Sequence, residues 1–275
     1  MFPLEYNIIL MEISVIVPIL LGWLAGLFVN YTSDVLPITR RFSQPACHHC
    51  QTPIAQTPIA WTDYLTLRAC RSCGKARSLR TWLVQILAVG AFVYFWLFPS
   101  ERLGFTLGMI VLTYFAILTV IDLEHRLILH ITSAAGAVLG LIVGTFIYNK
   151  EFGLLESVGK SLLGGLIGFG IMFLLYQVGA LVARFRARKM QVAGQTDDGE
   201  EALGGGDVFL LGVLGLMTGP AIVAILFYGV MLGGLVSLLL IIALLIRRQY
   251  SSDALMTFIP YGPYFILAAF YTLFF

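Results

Sequence analysis

Apolar residues in this chain come in long blocks, and the block pattern limits what it can fold into more than any single motif. A helix needs roughly 17–25 apolar residues to cross the hydrocarbon of a bilayer. Eight such blocks are read along the 275 residues, at about 8–29, 81–98, 105–121, 127–148, 158–182 and 257–275, with 207–246 too long for one span and divided near Tyr228-Gly229, the alternative being that Gly219-Pro220 ends a short helix earlier. Glu12 and Pro18 interrupt the first block without ending it. Hydrophobic residues make up 59% of the chain and charged residues 12%, whereas a soluble domain is about a quarter charged. Such a chain cannot cover its apolar surface, so its solvent must be lipid. The expected fold is an all-α polytopic membrane protein of about eight transmembrane helices with a small cytoplasmic zinc-binding loop domain. The first block lacks a basic n-region and a small-residue cleavage site, so it is expected to stay as a helix.

The net charge of +2 says little, but its placement is informative. With eight alternating spans, fourteen of the seventeen Lys and Arg residues fall on one side. They lie in the loop 31–80, at Arg126, in the loop 184–206, and at Arg247 and Arg248; only Arg102, Lys150 and Lys160 fall opposite. The basic side of a membrane protein is the cytoplasmic one. Both termini then face outward. Three segments follow: 1–30 as the first transmembrane helix, 31–80 as the cytoplasmic loop, and 81–275 as the membrane core with its cytoplasmic loop 184–206.

All four cysteines lie in the first loop, as Cys47-x-x-Cys50 and Cys70-x-x-Cys73, with nineteen residues between the pairs. Two such knuckles can place four thiolates tetrahedrally around a structural zinc. Arg68, Arg71 and Lys75 would offset the charge, and His48 or His49 could substitute as a ligand. Disulfides are disfavoured in a reducing cytoplasm. Redox chemistry and free thiols stay as the other readings.

Two aspartates are placed on the same face by that charge count. Asp122 ends the third block, and Asp207 follows Gly204-Gly205-Gly206 where a polar loop enters the sixth. An ionisable residue at membrane depth costs about 2.5–3.5 kcal/mol on insertion scales, so it usually has a job. The plainer account makes both interfacial polar residues, with Asp207 capping a helix. The three glycines favour a site, because bare backbone lets a second, extended backbone approach closely; a flexible linker end would also use them. Two carboxylates at one site can share a proton. The ionised one activates water while the protonated one donates to the scissile carbonyl. Asp207 begins a helix, whose positive end suits the ionised role; Asp122 follows a helix end, which suits the protonated role. Glu124 and His125 could line the site, but read as solvated turn residues. Asp197, Asp198, Glu200 and Glu201 read as a solvated loop. Ser133, Ser161 and Ser237 lack His/Asp context, and no HExxH or strand-linked GxGxxG occurs, so serine, metalloprotease and dinucleotide chemistries are unsupported.

The motifs together resemble the type IV prepilin peptidases, the leader peptidase/N-methyltransferase family of GxGD membrane aspartic proteases. The resemblance is carried by Gly22-Trp23-Leu24-Ala25-Gly26-Leu27-Phe28-Val29-Asn30, by the cysteine knuckles, by Ile121-Asp122-Leu123-Glu124-His125-Arg126-Leu127, by Gly204 to Val208, and by Ile259-Pro260-Tyr261-Gly262-Pro263-Tyr264. It implies a bacterial inner-membrane enzyme that cuts the basic leader from prepilins or pseudopilins after a Gly. The enzyme then N-methylates the new terminus with S-adenosylmethionine, and the loop 31–80 is associated with methylation. Pilus and type II secretion systems both use such enzymes. Leu129-His130, Phe209 and Gln85 depart from the family pattern (Pro-Asp, Lys and Glu there), which bears on substrate positioning and methylation. No nucleic-acid partner is indicated; membrane lipid is. The competing readings are a cleavage-only protease, a proton- or ion-coupled transporter, and a non-catalytic assembly factor.

Overall fold

A computed structural model describes residues 4–47, 50, 52, 69–192, 204–246 and 260–275. Every regular element among them is helical: α1 (Leu4–Thr39), α2 (Leu79–Leu97), α3 (Gly104–His125), α4 (His130–Tyr148), α5 (Leu154–Val192), α6 (Gly205–Thr218), a 3₁₀ turn (Gly219–Ala221), α7 (Ile222–Ile246) and α8 (Gly262–Phe274). A helix bonds its own backbone, which lipid requires.

The count of eight spans is not confirmed among the described residues. Six helical stretches among the described residues are long and apolar enough to cross a membrane: Val15–Thr39, Leu79–Leu97, Gly104–His125, His130–Tyr148, Leu154–Leu181 and Gly205–Ala243. The last is continuous in hydropathy but broken in backbone. The break falls at Gly219–Ala221, not at the expected Tyr228-Gly229. Pro220 has no N–H to give the preceding turn, and Gly219 adopts φ +58°, which closes α6 at little steric cost. Tyr228-Gly229 lies inside α7, where Gly229 makes room for the Phe265 ring. The final helix begins at Gly262, with Tyr261 as its N-cap, and not at the expected 257; it has 13 residues.

Two polar stretches expected as loop are helix. α1 runs on to Thr39, where Arg40 turns to φ 54°, and α5 runs on to Val192. Charge does not stop a helix: α1 passes Asp34 and Pro37 and ends only where Arg40 turns to positive φ. Likewise Asp122 lies in the last turn of α3, not in a turn after it, and Arg126 at φ 53° closes that helix. Residues 193–203, with Asp197, Asp198, Glu200 and Glu201, lie outside the described residues. So do His48, His49, Arg68 and 247–259.

The chain gathers into two compact units, Met1–Ile121 and Asp122–Phe275. In the first, α1 and α2 pack closely: Gly22 leaves no room for a Cβ against Val89, and Gly26 none against the Gln85 amide. A polar seam follows the same helix face. Gln85 Nε2 donates to the Trp23 carbonyl at 2.6 Å, Asn30 Nδ2 to Thr81 O at 3.2 Å, and Arg80 pairs with Asp34. Ser78 caps α2, accepting from the Thr81 N–H.

In the second unit, α6 is the buried centre, with Leu211, Leu214 and Met217 wholly inaccessible. A Cβ on Gly164 would collide with the Gly215 carbonyl, and one on Gly168 with the Leu211 carbonyl, so α5 and α6 meet backbone on backbone. Small residues at such crossings let membrane helices bond through van der Waals contact alone. Ser161 Oγ donates to Leu216 O at 2.6 Å and Tyr148 Oη to Thr218 O at 2.9 Å, taking up carbonyls freed where α6 ends. α8 packs on α7 through Gly229 against Phe265 and Gly233 against Tyr261.

Candidate active site and metal centre

Gly206, in the first turn of α6, packs on Ile128 of the α3–α4 turn; a Cβ there would stand 2.8 Å from that of Ile128. The last turn of α3 and the start of α8 come to the same end of the unit, because Asp122 Oδ2 lies against the backbone of Gly262. Asp122 is buried at 6% exposure, and its Oδ2 has no hydrogen-bond partner although the Gly262 N–H is nearby. Asp207 is half-buried, and Asp122 lies within its electrostatic reach. The fold thus brings together the two carboxylates that stand 85 positions apart in the chain.

Asp207 does not cap α6. The N-cap is Gly204, with no side-chain bond, and Asp207 sits in the first helical turn. Its side chain is free for other work, and the helix N-terminus favours negative charge there. The three glycines divide into two kinds. Space around Gly205 is open, and a Cβ on Gly204 would meet only Asp207 Oδ2, at 3.9 Å. Gly206 has a packing reason of its own in Ile128. Glu124 is exposed and His125 half-buried at the end of α3.

Gly262 is the site residue that sequence reasoning passed over. In sequence it is one residue of Ile259-Pro260-Tyr261-Gly262-Pro263-Tyr264. Pro263 in the first turn of α8 marks a helix start, and a glycine just before it signals a close backbone approach. What approaches is the Asp122 carboxylate.

The four cysteines meet in the first unit. Cys47 Sγ lies 3.7 Å from Cys73 Sγ, Cys50 Sγ 3.7 Å from Cys70 Sγ, and all four sulfurs lie within 4.8 Å of one another. A tetrahedral zinc with Zn–S bonds of about 2.3 Å sets sulfurs about 3.8 Å apart. The cluster therefore fits zinc, and none of the four is in a disulfide. Each knuckle is built alike: Cys47 N–H donates to Thr52 O and Cys70 N–H to Lys75 O, both at 3.0 Å. Gly74, at φ +68°, allows the second to turn. The N–H groups of Cys73 and Ser72 hold the Cys70 thiol down to about 6 and Thr52 lowers that of Cys50, while at Cys73 the Lys75 N–H is outweighed by burial and the neighbouring sulfurs, which push it up to about 11. Thiolate is the form a metal takes. Four protein ligands close the coordination sphere, so such an ion cross-links the loop.

Six helical stretches long and apolar enough to cross a membrane define the class, a multi-pass membrane protein. The family model described as "Type IV leader peptidase family" matches residues 109–274, and the chain belongs to that family. It is 27% identical over 233 residues to a prepilin leader peptidase/N-methyltransferase of Myxococcus xanthus, covering 81% of this chain and 62% of that protein. With a Pseudomonas aeruginosa protein of the same description it shares 28% over 229 residues, covering 82% and 68%. It is also 29% identical over 177 residues to the type 4 prepilin-like proteins leader peptide-processing enzyme of Escherichia coli O78:H11, covering 63% and 58%. The chain thus spans less than two thirds of the Myxococcus relative. No solved structure matches it.

Proposed function

We propose that this protein cleaves the leader peptide from type IV prepilins or pseudopilins with Asp122 and Asp207. It then N-methylates the new terminus using S-adenosylmethionine. The observation that carries the proposal is the convergence of the buried Asp122 carboxylate, one oxygen unbonded, with Asp207 at one end of the second unit. The two carboxylates share one proton. The ionised member takes a proton from water as the water attacks the scissile carbonyl, and the other donates to the carbonyl oxygen. Open space at Gly204 and Gly205 admits an extended substrate backbone beside Asp207.

The site faces the cytoplasm of a bacterial inner-membrane protein, on the side that carries the basic loops. A basic leader stays in that compartment while the apolar helix behind it lies in the bilayer. Residues 1–30 serve as the first membrane helix, 31–80 as the zinc-stapled loop associated with methylation, and 81–275 as the peptidase core. Zinc held by Cys47, Cys50, Cys70 and Cys73 folds the loop and takes no part in hydrolysis. The relatives' names supply the methyl transfer. The groove between α4, α5 and α6 is apolar, with His130 and Ser133 its polar residues, and does not suit a charged nucleoside. No residue is therefore assigned to the methyl donor.

The test is cleavage of a purified prepilin by the wild type, Asp122→Asn and Asp207→Asn, read by product mass with and without S-adenosylmethionine. Loss of cleavage in both variants, with a methylene's mass added to the wild-type product, is the expected result. Cleavage without that addition leaves a peptidase alone. Cleavage that survives either substitution removes the aspartate mechanism and reopens transport or assembly roles.

A further inference from the structure

Asp122 stands in the last turn of α3 and Asp207 in the first turn of α6, so their spacing depends on what lies between those helices. Gly262, at the start of α8, touches both. A Cβ there would press on the Asp122 carboxylate and stand 3.5 Å from Leu210 Cδ2. Leu210 follows Asp207 by three positions on α6, which puts it on the same helix face one turn on. The start of α8 is therefore wedged between the turn that carries Asp122 and the helix that carries Asp207.

The residue before the wedge is anchored elsewhere. Tyr261 is the N-cap of α8, and its carbonyl accepts from the Tyr264 N–H at 3.1 Å and the Phe265 N–H at 3.4 Å, so its backbone moves with that first turn. Its ring reaches α7. A Cβ on Gly233 would stand 2.7 and 2.9 Å from two of its ring carbons, so the ring fills the notch that this glycine leaves. Tyr264 packs on it edge to face, with centroids 6.4 Å apart. A notch on one side and a second ring on the other leave a two-torsion side chain little freedom. One turn further, Phe265 fills the matching notch at Gly229. The spacing is four residues on both helices, so α7 and α8 are keyed at two successive turns. The two keys differ. Phe265 is 2% exposed and belongs to the core, whereas Tyr261 is 37% exposed and stands beside the wedge. Its hydroxyl makes no hydrogen bond among the described residues, which leaves ring packing as its contribution. We propose that Tyr261, seated in the Gly233 notch, is a positioning residue of the peptidase: it holds the first turn of α8 as the wedge that sets Asp122 against Asp207. This rests on those two aspartates being the catalytic pair.

The test is a double-mutant cycle on prepilin cleavage by the full chain, run beside chemical labelling of Asp122. Tyr261→Ala and Gly233→Ala should each lower kcat by about tenfold with KM unchanged, because a misplaced reacting group is felt in the transition state alone. Gly233→Ala should add nothing in the Tyr261→Ala background, where the ring that transmits its push is gone. Tyr261→Phe, which keeps the ring, should restore the wild-type rate. Tyr261→Leu, which opens space instead of filling it, serves if Gly233→Ala does not fold, and should lower kcat as Tyr261→Ala does. Labelling uses dicyclohexylcarbodiimide, an apolar reagent for protonated carboxyl groups, and is read as adduct mass on the peptide that holds Asp122, so it needs no cleavage. Its rate should differ severalfold from wild type in Tyr261→Ala and Gly233→Ala but not in Tyr261→Phe. A raised KM at normal kcat would make Tyr261 a substrate contact and overturn the proposal. Independent losses that multiply in the double variant would do the same. Two failures are told apart by Asp122→Asn. If that variant still cleaves, the catalytic pair falls and the proposal with it; if it is inactive and labelling is unchanged in the other variants, the proposal alone falls.

Discussion

Gly262 stands where a methyl group would displace a carboxylate oxygen of Asp122. Gly262→Ala should therefore leave the helices intact and lower the cleavage rate by about tenfold to a hundredfold, since small misplacements of a reacting group carry penalties of that order. Rate and thermal unfolding measured together test this; a stable variant of normal rate would show that Asp122 needs no fixed position. The triglycine run makes a second prediction. Gly206→Val should misplace the first turn of α6 and be partly rescued by Ile128→Ala, because the two sites touch. Gly205→Val meets nothing among the described residues, so slowed cleavage with unchanged thermal unfolding reports on substrate. A shared proton further predicts a rate that rises and then falls with pH; a monotonic profile would count against it. At the cysteines, one zinc per chain should be lost in Cys50→Ser. In the wild type, zinc should be retained at neutral pH and released on acidification, because each thiolate that takes up a proton is lost as a ligand. A colorimetric chelator reads both.

At the scale of elements, the break at Gly219–Ala221 is held by a positive φ and by Tyr148. Gly219→Ala should cost about 1–3 kcal/mol, and Tyr148→Phe, which removes the bond to Thr218 O, about 1 kcal/mol. Thermal unfolding in detergent measures both. The helices themselves were legible because hydrophobic runs of membrane length have few other meanings. Their ends were less so. Pro220 carried the break, yet Tyr228-Gly229 drew attention by balancing two span lengths, and Gly229 proved to be a slot for Phe265. The loops expected to begin at residues 30 and 184 begin as helix, since α1 runs on to Thr39 and α5 to Val192. The cysteine knuckles were readable from spacing alone. Asp122 and Asp207 could be paired only through sidedness, and Gly262 not at all, because what it accommodates comes from a different helix.

For the whole molecule, the proposed orientation is open to a direct check. A periplasmically active phosphatase fused after Lys150 should be active, and one fused after Asp198 inactive; the reverse would place the aspartates outside. The short α6 has a further consequence. Fourteen residues make a rod of about 21 Å, some 9 Å less than the hydrocarbon thickness of a common bilayer. Its neighbours cover it, so the shortfall lies inside the protein and not at a lipid boundary. An aspartate end set below the headgroup plane would need water to come down to the peptide bond, and a thinner bilayer shortens that path. Vesicles of shorter-chain phospholipid should speed cleavage, and longer chains should slow it.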